Sequence, residues 1–366
     1  MAFPAHPAKT TEQGPAAPAR SPNTLLELPS SHTRPLAGGW HQIWTSLAGG
    51  ELPPPEEGGE GGGGNNLVFK VLLAAVALIY GTNFGAIKYL DAAHVDVSIV
   101  TAIRFALATL SLCPFLYKAP MPVVVRGLEV GIWVAAGYIA QAIGLQTTQS
   151  SKSAFICSLA VVVVPIVNAI VYKRKAPPTA WLAAVLAVLG VGLMTLEGKG
   201  TPPSIGDLWS MGQPLGFGIA FVRSEQCMQE NKSQALAMTA AQMVAVMAVS
   251  MLWVSFTLTA NTPSISALYE PVNMAALFYT GVVTSALAVV GESIALAHIS
   301  AEETTVILST EPLWAALFGA MLLGEKMNGF GYLGGATILL GCLLTQLKLP
   351  KGLEKLLGPW EEGGEA

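Results

Sequence analysis

Charge is what this sequence has least of. Only 11% of its 366 residues are Asp, Glu, Lys or Arg, whereas soluble domains carry about a quarter. So few charges cannot cover a water-exposed surface, and 52% of the residues are hydrophobic. A soluble globular enzyme is thereby disfavoured, and lipid is the main solvent. Aspartate is scarcer still. Asp91, Asp96 and Asp207 are its three occurrences, all at the edges of apolar runs, which leaves a paired-aspartate intramembrane protease without support. Four cysteines, Cys113, Cys157, Cys227 and Cys342, lie far apart with no CxxC pair, so neither a metal site nor a disulfide framework is expected. They read as small packing residues. Neither HExxH nor GxSxG occurs, and no GxxxxGK[ST] phosphate loop is present. ATP hydrolysis, a cofactor and a metal are therefore not expected. A net charge of −4 suits no nucleic-acid partner.

What remains is apolar and periodic on the scale of a bilayer. Residues 1–66 are rich in Pro, Gly, Ala and Ser, show no apolar period, and read as a disordered tail. Residues 1–50 hold nine Ser or Thr, three basic and two acidic residues, a composition compatible with a transit peptide but poor in Arg. From 67 to 347, runs near 68–90, 97–117, 126–146, 151–172, 177–196, 207–226, 235–256, 274–297, 304–323 and 328–347 alternate with short polar joints. Each is close to the roughly 20 residues that a helix needs to cross hydrocarbon. Alternating ten-residue segments of the β-barrel kind are absent. The expected fold is an all-α membrane protein of ten transmembrane helices, with a short tail at 348–366.

Basic residues orient those spans. With the N-terminus on the inner side, Lys70, Lys118, Arg126, Lys173, Arg174, Lys175, Arg223, Lys232, Lys348, Lys351 and Lys355 face inward, against Lys88, Lys152, Lys199 and Lys326 outside. Internal correspondences then divide the chain. The fifth and tenth spans match at an offset of 151, pairing Lys175 with Lys326, Trp181 with Tyr332 and Gly190 with Gly341. The first and sixth match at 135, pairing Gly81 with Gly216 and Lys88 with Arg223. Pro165 and Pro312 pair at 147, which requires a gap of one helical turn. These matches predict two repeats, 67–197 and 207–347. Five spans each makes the second inverted, an architecture of secondary transporters whose solute lies near the midplane.

Gly81-Thr82-Asn83-Phe84 followed by Lys88, Ile103-Arg104-Phe105, the stretch from Gln146 to Pro165, Glu311-Pro312, and Leu323-Gly324-Glu325 are the residues that carry a family resemblance. Together with Gly334-Gly335 and Gly341 they resemble the EamA-type drug/metabolite transporter superfamily over residues 67–347. That resemblance implies a 5+5 inverted repeat, both termini cytoplasmic, and alternating access to a central cavity. Gln146 to Ala154 looks most like plant and algal plastid members, which implies a plastid envelope. Substrates in the family range over amino acids, nucleobases, sugar phosphates and other metabolites.

Ionisable groups at membrane depth are costly and point to function. Arg104, seven residues into the second span, is a candidate for binding a carboxylate or phosphate, or else a structural pair. Glu311, before Pro312, is a candidate proton-binding carboxylate or counter-ion of Arg104, and Glu292 is a second carboxylate. Asn83, Gln141 and Gln242 either contact solute or bond between helices. Lys88 and Arg223 are candidate gating cations, or snorkel to head groups; Pro165 and Pro312 are candidate gating bends. Phe84, Trp133, Tyr138 and Phe217 are candidate pocket walls. A secondary carrier or exchanger of a small polar metabolite, an amino acid or organic anion, is the reading that results, with metabolite export as one direction. Its partners are the solute and membrane lipid. An intramembrane enzyme, a channel and a receptor are the rivals: a channel needs a filter or charged ring, and a receptor's seven spans do not fit the repeat.

Overall fold

In a computed structural model of the chain, residues 63–171, parts of 182–193, 204–260 and 266–344 are described, and every regular element among them is a helix. α1 is Gly63–Ala92, α2 Val97–Leu112 with a 3-10 turn to Leu116, and α3 Met121–Thr147. α4 is Ser150–Cys157, α5 Ala160–Val171, α6 Ile205–Ser210, α7 Gly212–Glu230 and α8 Ala235–Ala260. α9, Pro271–Phe278, passes through a π-helix at Tyr279–Leu287 into α10, Ala288–Leu296. α11 is Ala301–Leu308, α12 Glu311–Leu323 and α13 Gly329–Leu344.

Seven of the ten predicted spans recur as helical segments long and apolar enough to cross a membrane: Leu67–Ala92, Val97–Leu116, Met121–Thr147, Ser150–Val171, Lys232–Thr257, Pro271–Leu296 and Ala301–Leu323. An eighth, Gly329–Gly341, is apolar but shorter. The predicted sixth span becomes α6 and α7, and α7 is less apolar because it carries Arg223, Glu225 and Glu230. Most of the fifth span, residues 1–62 and the tail 348–366 lie outside the described residues. At the front edge the sequence expectation is corrected. The helix starts at Gly63, ahead of the expected boundary at Leu67.

Lipid tails are as apolar as leucine, so helices in a bilayer associate through close packing and polar contacts rather than expulsion of water. The interior is built accordingly. Leu78, Leu110, Ile132, Leu252, Leu317 and Met321 are exposed on the outside, while small residues bring backbones together inside. α1 packs on α12 at Gly81, where a Cβ would lie 2.4 Å from that of Trp314 and 2.9 Å from the Ala315 nitrogen. α3 meets α7 at facing glycines, a Cβ on Gly216 falling 2.6 Å from the Gly137 nitrogen. α3 also packs on α8, α8 on α2, α2 on the π-helix, and α5 on α7.

Two predicted continuous spans are interrupted within their first halves. α4 ends at Ser158 (φ −62, ψ −12) and α11 at Ser309 (φ −64, ψ −8), residues 151 apart. The hydrogen bonds repeat at that same offset. Ser158 Oγ donates to the Phe155 carbonyl at 2.7 Å, and Ser309 Oγ to that of Val306 at 2.6 Å. Leu159 N donates to Ile156 O at 3.1 Å, and Thr310 N to Ile307 O at 3.2 Å. Both upstream half-helices span 8 residues. This register corrects the pairing of Pro165 with Pro312. Pro165 is inside α5, whereas Pro312 occupies the first turn of α12, where a missing N–H costs nothing. No compensating gap is needed, and neither proline forms a break.

The tight seam between α1 and α12 gives a stability prediction. Gly81→Val is expected to destabilise by about 1–3 kcal/mol, as overpacking does, whereas Gly85→Ala, whose Cβ would meet only Leu322 Cδ1 at 3.8 Å, is near neutral. Thermal unfolding of both variants in detergent checks the contrast.

Candidate solute cavity

The two interruptions open onto one cavity. From α4–α5 it receives Cys157, Ser158 and Ala160, and from α11–α12 Leu308, Ser309 and Glu311, the same three positions at the offset of 151. Tyr80 and Asn83 of α1, Tyr138 and Gln141 of α3, Phe217, Phe221 and Ser224 of α7, Glu292 of α10 and Thr305 of α11 complete most of the wall. About 720 Å³ of atom-free space, the open mouth included, lies between them. Its composition is that of a small-molecule site: apolar and aromatic walls with a few convergent polar groups.

Glu292 Oε2 accepts the Tyr80 hydroxyl at 2.8 Å, fixing that carboxylate across the α1–α10 contact. Glu311 is the first residue of α12, so the start of a half-helix and a carboxylate coincide at the cavity wall.

A buried polar chain runs along one side. Thr284 Oγ1 donates to Asn83 Oδ1 at 2.9 Å, and Asn83 Nδ2 to Gln141 Oε1 at 3.1 Å. Gln141 Nε2 donates to Gln213 Oε1 at 3.2 Å, and Gln213 Nε2 to Ser153 Oγ at 2.9 Å. Ser153 and Ser210 share a further bond at 3.0 Å. The chain ties the π-helix to α1, α3, α7, α4 and α6. Buried amides need such partners, because an unmet one costs its full desolvation.

Arg104 stands behind this wall rather than in it. Its Nε donates to Ser285 Oγ at 2.6 Å, and its guanidinium lies 4.8 Å from the ring centroids of Phe105 and Tyr138. The expected ion pair with Glu311 is not formed. Among the described residues no ion pair involves Arg104, and its Nη2 meets no hydrogen-bond partner. The π-turn that presents Ser285 takes the place of the carboxylate. Gln242 is also withdrawn: it is buried on α8 and touches the cavity only through Ser224, whose Oγ accepts its Nε2 at 3.4 Å. Of the six predicted solute contacts, Asn83, Gln141, Glu292 and Glu311 therefore line the cavity.

The predicted gating cations lie at opposite ends, each engaged with protein. Lys88 Nζ donates to the carbonyls of Leu145 (2.8 Å) and Thr148 (2.7 Å), where α3 ends and its dipole is negative. Arg223 pairs with Glu129 through two bonds, Nε at 2.8 Å and Nη2 at 2.7 Å. Around Lys88 the end of the bundle is latched. Lys152 pairs with Asp207 at 2.7 Å, and Thr148 Oγ1 donates to the same carboxylate at 2.9 Å. Gly324 ends α12 in the left-handed region (φ 64) and turns Glu325 back onto α4, where it accepts from Ser150 N and Oγ, both at 2.8 Å. At the other end Lys70 meets Glu303 at 2.5 Å, Asn168 meets Glu302, and Arg126 meets Glu230. Phe69 stacks on His298 there (4.0 Å), and burial holds the imidazole below its ordinary range.

Comparison with known proteins agrees with this geometry. The model of the EamA-like transporter family matches residues 69–196 and again 204–347. The chain belongs to the EamA-like transporter family. This transporter is similar to an uncharacterized transporter of Archaeoglobus fulgidus, 28% identical over 281 residues, which are 76% of the chain and 85% of that relative. It is also similar to the uncharacterized transporter YwfM of Bacillus subtilis, 23% identical over 175 residues, 48% of the chain and 56% of that relative. A solved crystal structure shares its fold with TM-score 0.54 at 15% identity, covering 78% of this chain and 99% of the other. The transporter is an integral, multi-pass membrane protein.

Sequence reasoning missed Tyr80, Ser158, Ser224, Thr305 and Ser309 as lining groups. Ser158 and Ser309 were within reach, since they match at the offset already seen in the last spans. Tyr80 carried no signal, because a tyrosine in an apolar run is ordinary. Among the four pocket-wall candidates Tyr138 and Phe217 line the cavity. Phe84 is fully buried in a packing cluster, and Trp133 borders an apolar groove elsewhere.

Because Asn83 and Gln141 share one bond, their loss is non-additive. Asn83→Leu and Gln141→Leu should each cost about 1–3 kcal/mol by stranding the partner, and the double variant less than the sum. Unfolding of all three in detergent checks the cycle.

Proposed function

We propose that this transporter is a secondary carrier moving a small polar metabolite by alternating access through the cavity, and that its halves, 67–197 and 207–347, form an inverted repeat. The observation that carries the reading is the pair of matched interruptions. Residues 157, 158, 160 and 308, 309, 311 supply one cavity from equivalent places in the two halves. Interrupted helices meeting at the middle of the bundle are the arrangement in which carriers hold solute.

Ion pairs close both ends of the bundle, Lys70–Glu303 and Arg223–Glu129 at one and Lys152–Asp207 at the other, and alternating access exchanges them. By the excess of basic residues, the end with Lys152, Asp207 and Glu325 is the outer one, and it is latched by charge-assisted bonds from α4 to α6 and to the α12 joint. Opening requires these bonds to exchange for others, as rocking of one half against the other would do. A phosphate loop is absent from the sequence, so exchange or ion coupling drives the cycle. Residues 1–66 carry the proposed plastid address, and a fluorescent reporter fused to them should enter plastids.

The latch supplies the test. A Lys152→Cys/Asp207→Cys variant, with the native cysteines replaced, is expected to exchange radiolabelled metabolites in proteoliposomes when reduced. On oxidation flux should fall at least tenfold, and a reductant should restore it. Flux indifferent to the cross-link, or chemical conversion of a solute without its movement, contradicts the carrier reading.

A further inference from the structure

The ionisable groups that face the cavity are of one sign. Two carboxylates, Glu292 and Glu311, line it, and among the described residues no Lys, Arg or His does. Among the described residues the cations within the bundle are held elsewhere. Lys88 sits on the last carbonyls of α3, Arg223 pairs with Glu129, and Lys152 with Asp207. Arg104 is separated from the cavity by the Tyr138 ring, over which it lies, and is turned toward Ser285 on the π-helix. An anionic solute entering this space meets two carboxylates with no facing countercharge. Desolvation inside the bundle makes that encounter worse than it is in water, because charges interact more strongly at low dielectric.

The remaining wall suits the opposite charge. Phe217 and Phe221 contribute aromatic surface, with Phe217 held edge-on to Tyr138 at 5.0 Å between centroids. Aromatic faces attract ammonium groups, the more so when water is excluded. Ser158 and Ser309 already spend their hydroxyl protons on backbone carbonyls, so each presents its oxygen lone pairs as acceptors. Carboxylates, acceptor oxygens and aromatic faces together form a receptor for N–H donors bearing positive charge.

We propose that the solute is an organic cation, a small aliphatic amine or ammonium compound, whose charged nitrogen docks between Glu292 and Glu311. The assignment rests on the carrier reading for its meaning as cargo. The preference of the cavity for positive charge is nevertheless measurable without transport. It differs from the amino acid or organic anion expected from the sequence.

The test uses the full-length protein with Cys113→Ser, Cys227→Ser and Cys342→Ser, leaving Cys157 on the cavity wall as reporter. Thiosulfonate reagents of similar size, one bearing a trimethylammonium group and one a sulfonate, are compared for their rates at Cys157. After correction for their rates on a free thiol, the cationic reagent should react at least tenfold faster. Glu292→Gln and Glu311→Gln should each lower that ratio severalfold. Ser309→Cys in a Cys157→Ser background repeats the comparison from the other interruption, and needs neither glutamate changed. Ethanolamine, putrescine and tetramethylammonium should slow labelling, while succinate, glycerate and erythritol should not. A ratio at or below one, or protection by the acids or the polyol in place of the amines, overturns the proposal. Exchange of such acids in proteoliposomes would then leave the carrier reading intact. Amine protection with no exchange of any solute sustains the binding site and removes the carrier.

Discussion

A helix cannot stop inside a bilayer unless its backbone groups find partners, because hydrocarbon offers none. That constraint organises this transporter. The interruptions after α4 and α11 are bridged by tightened turns and by serine hydroxyls bonded to carbonyls three residues back. Irregular backbone at membrane depth survives only within protein or beside a polar space. Here both interruptions face the same cavity, and the helices around them are drawn in by glycine seams at Gly81 and at Gly137–Gly216. Close packing and the polar cavity are thus two sides of one arrangement. Small residues let the backbones approach where van der Waals contact holds the bundle, and the interruptions keep it from closing at the centre.

Polar groups elsewhere divide between rigid wiring and exchangeable contacts. The chain from Thr284 through Asn83, Gln141 and Gln213 to Ser153 is fully buried and joins helices from both halves. It resembles a fixed core network. The contacts at the two ends differ in kind: Arg223–Glu129 is an ion pair on partly exposed side chains, which water can replace at modest cost, whereas Lys152–Asp207 is largely buried and must exchange for another partner when its end opens.

Much of this was legible in the sequence, and the failures have physical reasons. Long apolar runs announced the spans, and Glu292 and Glu311 stood out because carboxylates at membrane depth are expensive. Interruptions within the runs left little mark, since Ser158-Leu159 and Ser309-Thr310 contain neither Gly nor Pro, and the match of the two serines at the offset of 151 was their one trace. Proline drew attention to the wrong places: Pro165 is absorbed in α5, and Pro312 begins a helix instead of bending one. Arg104 was visible as a buried cation, but its partner was not. Ser285 is brought to it by a π-helix, whose extra residue per turn leaves no mark in composition.

Spin-label distances measured at both ends of the bundle in the same preparation test the central claim, that one cavity is opened alternately by its two ends, most directly. One pair of labels, at Ile205 and Lys326, reports on the latched end, and another, at Val171 and Glu230, on the opposite end. The account predicts two populations whose distances are anticorrelated, the first pair lengthening as the second shortens, with their ratio shifted by bound solute. A single unchanging distance at both ends, or both ends opening together, would contradict it.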